Sequence, residues 1–133
     1  MFDILIPVYN TNLRYLEKCL KSVQSQTFQD WQCYIVDGSN NVYQKEIYAL
    51  VETYLDDSRF HYNREQGILG QGASNARNQA SRLGKNPYLA FLDSDDWWLE
   101  NHLATFVDSI EKDSSERISF WFSILHTVVT KRK

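Results

Sequence analysis

Three carboxylates stand where an apolar run ends. Tyr88-Leu89-Ala90-Phe91-Leu92 leads directly into Asp93-Ser94-Asp95-Asp96, followed by Trp97-Trp98. The apolar run reads as a buried strand, so the acids fall at its carboxyl end. Asp93 and Asp95 are two residues apart, and an extended backbone points both side chains the same way. Two carboxylates aimed at one spot repel each other unless a cation lies between them. Mg²⁺ and Mn²⁺ suit such a pair, because hard ions take oxygen ligands from carboxylates and substrate phosphates. The competing reading is an acidic turn in which Asp96 caps the next helix.

Other polar residues have chemistry to offer. Asp37 ends a second apolar run and precedes Gly38-Ser39-Asn40-Asn41. It reads either as a turn residue or as an acceptor for a ligand N–H or hydroxyl. Gly67-Ile68-Leu69-Gly70-Gln71-Gly72 lacks the spacing of a dinucleotide fingerprint and reads as a loop that lets a ligand approach backbone. Arg77 shares a helical stripe with Ala73, Ala76, Ala80 and Leu83, so it leans toward the protein and needs an anionic partner. Asp93 or Asp95 could serve, and so could a bound diphosphate. His61, His102 and His126 have no neighbours at metal-ligand spacing and read as structural.

The elements that must position these residues alternate along the chain. Strands are expected at Phe2 to Val8, Gln32 to Val36, Phe60 to Asn63 and Tyr88 to Leu92, with a last one over Ile118 to Val129. Helical spacing links Leu13, Leu16, Leu20 and Val23, then Ile47, Leu50, Val51, Tyr54 and Leu55. It recurs in Ala73, Ala76, Ala80 and Leu83, closed by Gly84 and Pro87, and in Leu99, Leu103, Phe106, Val107 and Ile110. The alternation predicts an α/β fold: an open, mostly parallel sheet with helices on both faces. Such sheets bind ligands beyond the carboxyl ends of their strands. Pro7 to Asn10, Asp37 to Asn41, the glycine loop and the acidic cluster would all lie there.

The 133 residues form one domain over 1–133, with 43% hydrophobic and 23% charged residues. A net charge of −3 gives no basic face for nucleic acid. Cys19 and Cys33 are expected as reduced thiols. The N-terminus lacks a signal-peptide pattern, and no run approaches the roughly 20 apolar residues of a membrane span. The expectation is a cytoplasmic protein, at most peripheral to the inner face of a membrane.

As an ordered set these residues resemble the nucleotide-binding half of family 2 glycosyltransferases, which have the GT-A fold. The matching pieces are Ile6-Pro7-Val8-Tyr9-Asn10, Leu16 to Phe28 and Ile35-Val36-Asp37-Gly38-Ser39. Gly72-Ala73-Ser74-Asn75-Ala76-Arg77-Asn78 and Phe91-Leu92-Asp93-Ser94-Asp95-Asp96 complete the set. The resemblance implies a nucleotide-sugar donor, commonly a UDP-sugar, bound with Mn²⁺ or Mg²⁺. By the same resemblance Val8 and Tyr9 flank the base, and Asp37 accepts from base or ribose. Arg77 lies near the nucleotide, Asp93 reaches ribose or metal, and Asp95 binds metal. It also implies inverting transfer to an acceptor hydroxyl on a glycan, lipid or protein.

Two residues depart from the family pattern. Gly38 stands where a second aspartate is usual, and Glu100 where a proline is common. Family members also carry a carboxylate base well beyond the acidic cluster. Here the later acids, Glu100, Asp108, Glu111, Asp113 and Glu116, read as surface charges, so no catalytic base is assigned. The reading is a donor-binding domain, apparently truncated. Its rivals are a non-catalytic nucleotide-sugar-binding module and an unrelated metal-dependent phosphoryl-transfer enzyme. The apolar terminal run predicts a strand edge open to self-association, and Lys131-Arg132-Lys133 reads as a solubilising or anionic-surface tail.

Overall fold

In a computed structural model of the chain, residues 1–112, 120–122 and 128–132 are described. Four strands and four helices alternate through most of them. They are β1 (Phe2–Val8), α1 (Leu13–Gln24), β2 (Trp31–Asp37), α2 (Asn41–Glu52) and β3 (Phe60–Arg64). Then come α3 (Ala73–Ser81), β4 (Tyr88–Phe91) and α4 (His102–Lys112), followed by short β5 (Phe120–Phe122) and β6 (Val128–Lys131). The described strands form one sheet in the order β3-β2-β1-β4-β6-β5. β1 to β4 run parallel, whereas β6 lies antiparallel to both β4 and β5.

β1 is buried along its whole length, as the central strand of a sheet covered on both faces must be. Alternate residues serve opposite faces. Ile4, Ile6 and Val8 pack with Leu16, Leu20, Ile47, Leu103 and Phe106 from α1, α2 and α4. On the other face Leu5 and Val36 meet Ala76 and Ala80, whose small side chains let α3 lie close to the strands. The expected mostly parallel sheet with helices on both faces is therefore present.

Several boundaries differ from the periodicity. Leu83 lies beyond α3 and is exposed, so the stripe ends at Ala80. Leu99 is also exposed and precedes α4, which begins at His102. Asp96 therefore does not cap that helix. Gln26, from the end of α1, closes it instead: its Oε1 accepts from Leu103 N at 3.0 Å, and its Nε2 donates to Leu99 O at 2.7 Å.

The single terminal strand is replaced by β5 and β6; residues 113–119 and 123–127, including His126, lie outside the described ones. The basic tail is corrected too. Arg132 turns back onto the sheet and pairs with buried Asp3 at 2.6 Å, while it also donates to the carbonyls of Asn86 and Ser81. Lys131 is exposed in β6, and Lys133 is outside the described residues. Cys19 and Cys33 are buried free thiols. No helix among the described residues is long and apolar enough to cross a membrane.

Candidate functional site

The carboxyl ends of β1, β2 and β3 are laced side by side by backbone bonds. Gly38 N donates to Val8 O at 2.8 Å, and Glu65 N donates to Asp37 O at 2.9 Å. The loop after β1 is fixed to the loop after β2. Asn10 takes a left-handed conformation (φ 48°), which asparagine tolerates better than most residues. Its N–H donates to Ser39 Oγ at 2.8 Å, and its Oδ1 accepts from Asn40 N at 2.9 Å.

Above these ends opens a cavity of about 460 Å³. Val8, Tyr9, Arg77, Asp93 and Asp95, five of the residues singled out by sequence, line it together with Gly38, Glu65, Gly70 and Gly72. The sixth, Asp37, stands behind the wall. Its carboxylate is fully buried and accepts from Ser39 N at 2.9 Å and Tyr62 Oη at 2.5 Å, with Arg64 Nη1 3.7 Å away. Burial, then the bond to this anion, pushes the Tyr62 hydroxyl up to about 12. Tyr62 therefore remains a donor.

Asp93, Ser94, Asp95 and Asp96 form a tight turn, closed by Asp96 N donating to Asp93 O at 3.0 Å. Ser94 is buried and its hydroxyl meets that of Thr11 at 2.7 Å, which ties the turn to the loop after β1. The carboxylates of Asp93, Asp95 and Asp96 are exposed and offer oxygens within 4.8 Å of one another. Partial burial, and then the charges of Asp95 and Asp93, raise the Asp96 pKa. An all-oxygen donor set under mutual repulsion fits a hard divalent cation. Cys19 Sγ lies 3.7 Å from Asp93 O. Burial, and then the three carboxylates, raise its pKa, so it remains a neutral thiol.

Arg77 Nη2 donates to Asp93 Oδ1 at 2.6 Å, while its buried Nε has no protein partner. The first turn of α3 lies beside it. Gly72 gives that helix no side-chain cap, and both Gly72 and Ala73 face the cavity. Uncapped N–H groups and an arginine side by side suit an oxyanion such as phosphate.

Tyr9 is half exposed, and its ring lies against the glycine loop. A Cβ at Gly70 (φ +73°) would stand 2.8 Å from Tyr9 Cε2, so only glycine fits there. Glu65 was not singled out by sequence. Its signal was its place after β3, on the same edge as the other three loops.

Residues 3–121 match the model of Glycosyl transferase family 2. The chain belongs to this family. It is 28% identical over 122 residues to the Escherichia coli UDP-Glc:alpha-D-GlcNAc-diphosphoundecaprenol beta-1,3-glucosyltransferase WfgD, covering 92% of this chain and 44% of the relative. Its fold is that of Staphylococcus aureus TarS 1–349, crystallised with UDP (TM-score 0.73, 23% identity, 84% of this chain and 32% of the other). It is also that of the Pyrobaculum calidifontis mannosyltransferase PcManGT in complex with GDP-Man and Mn²⁺ (TM-score 0.77, 17% identity, 98% and 44%). The chain spans under half the length of each of these proteins.

Among the described acids beyond Asp96, Glu100, Asp108 and Glu111 are exposed and none lines the cavity. Asp108 is paired with Lys112 at 2.8 Å. Asp113 and Glu116 lie outside the described residues.

Proposed function

We propose that this domain binds a UDP-sugar with Mn²⁺ or Mg²⁺ and, in a complete enzyme, transfers the sugar with inversion to an acceptor hydroxyl. The observation that carries the reading is the shared cavity: an exposed tyrosine, an arginine and a carboxylate cluster line it at the carboxyl edge of the sheet. The UDP-sugar named for the Escherichia coli relative and the UDP bound by the Staphylococcus aureus neighbour support the choice of nucleotide.

Val8 and Tyr9 would flank the base, and Arg77 with the first turn of α3 would hold the diphosphate. Asp37 would reach the nucleotide only by exchanging one of its present partners; otherwise it acts through the loop that Ser39 anchors. Asp93 and Asp95 would hold the cation, with Thr11 and Ser94 fixing their turn. A divalent cation there neutralises the diphosphate and supports departure of the nucleotide. Release of Asp93 to that cation would leave Arg77 free to turn its guanidinium to phosphate.

A second reading has its own observation. No acid among the described residues beyond Asp96 faces the cavity, which favours a domain that binds a donor without itself activating an acceptor.

Titration calorimetry with UDP, with and without Mn²⁺, tests the donor site. The expected result is metal-dependent binding that Asp95→Ala abolishes. Failure of UDP, GDP and dTDP to bind in the presence of metal would sink the proposal. Sugar transfer by the 133-residue chain would exclude the binding-only reading.

A further inference from the structure

We infer that Glu65 is the residue that reads the nucleobase, accepting the ring N–H of uracil through the gap that Gly38 leaves open. The inference rests on the proposed nucleotide site and adds to it a carboxylate and a base preference.

Glu65 is only 4% exposed, yet it lines the cavity beside Gly38. Its two hydrogen-bond partners are neutral: Gly70 N donates to Oε2 at 2.8 Å, and Asn75 Nδ2 donates to Oε1 at 3.2 Å. These bonds fix the carboxylate while leaving each oxygen with further acceptor capacity. A Cβ on Gly38 would collide with Oε2 of Glu65. The carboxylate thus occupies the place that a side chain at position 38 would take. Glycine at 38 and glutamate at 65 make one arrangement.

The surroundings indicate what this carboxylate meets. Gly70, which donates to it, also lies against the ring of Tyr9, with room for no Cβ between them. An aromatic ring and a carboxylate acceptor are therefore linked through one residue. That pairing suits a flat heterocycle that stacks and presents an N–H at its edge. Uracil has a ring N–H at position 3. Cytosine has a bare acceptor there, which a carboxylate repels. Buried acceptors discriminate strongly in this way, because the wrong ligand leaves them unpaired.

The test is calorimetric titration of the chain with UDP and with CDP, Mn²⁺ present throughout. The wild type should prefer UDP. Glu65→Gln, whose amide can also donate, should weaken UDP at least about tenfold and narrow the UDP-to-CDP preference by a similar factor. Circular dichroism and a thermal melt establish that the variant is folded. Should it not fold, Gly38→Ala carries the test, because the added methyl displaces Glu65 and should narrow the preference in the same direction. UDP binding with no preference over CDP, or a preference unchanged in a folded variant, overturns the role of Glu65 and leaves the donor site standing. A folded wild type that binds no UDP overturns both.

Discussion

Arg132 Nη2 closes on Asp3 Oδ2 at 2.6 Å, joining residues 129 positions apart in sequence. Asp3 is fully buried on β1, and Asn86 gives it two further donors, the backbone N–H at 3.1 Å and Nδ2 at 2.8 Å. The pair fastens the last described residues to the centre of the sheet. Removing one partner of a buried pair strands the other charge, which costs about 3 kcal/mol or more. Arg132→Ala should therefore lower the urea midpoint markedly. Asp3→Asn with Arg132→Ala should recover part of the loss, since the stranded charge is gone. Equal stability of wild type and Arg132→Ala would remove the anchoring role.

Arg77 has one bond to Asp93 and an unpartnered Nε, so its fork is only partly used. Lysine keeps the charge but not the planar, two-pronged donor set. Arg77→Lys should weaken UDP binding about tenfold while moving the thermal midpoint little, because the pair with Asp93 is part-exposed and adds little stability. Calorimetry and a thermal melt on the same sample separate the two effects. An unchanged affinity would place the diphosphate elsewhere.

Much of this arrangement was legible in the sequence because its signals are local. Alternating periods of two and near four fixed the layer order, and the topology then put Tyr9, Arg77 and the acidic turn on one edge. Features that depend on distant pairing were not legible. Arg132 reads as a tail residue until β6 brings it against Asp3. Glu65 reads as one polar residue among several until Gly38 is seen to leave room for it. Helix ends differ at Leu83 and Leu99 because apolar spacing continues past the packed turns, and Gln26 caps α4 from the loop after α1.

His102 is buried between Trp98, whose ring it stacks on at 4.6 Å, and Phe106 at 5.1 Å. Burial lowers its pKa to about 4, from an ordinary value of 6.5. Between those two values the unfolded chain binds a proton that the folded chain refuses. Stability contributed by the neutral ring is thus fully present above pH 6.5 and is lost as pH falls toward 4. His102→Phe keeps an aromatic ring and removes the titration. The wild type should lose more of its urea midpoint than this variant between pH 7 and pH 4.5. Parallel pH profiles would show that His102 does not carry that dependence.

Gln26 links the end of α1 to the segment that leads into α4. It is 3% exposed, and its amide joins three backbone groups: the Ser22 and Leu99 carbonyls and the Leu103 N–H. Gln26→Leu preserves much of the volume but leaves the Leu103 N–H and the Leu99 carbonyl without this partner. Each stranded buried group costs about 1–3 kcal/mol, so the variant should lose several kcal/mol in urea. Amide exchange at Leu103 should also quicken more than exchange at Leu20, because α4 would fray from its start while α1 keeps its own bonds. If the turn before α4 loosens with it, UDP binding should weaken in the presence of Mn²⁺ and change little in its absence. Protection of Leu103 equal to the wild type would show that α4 closes without Gln26.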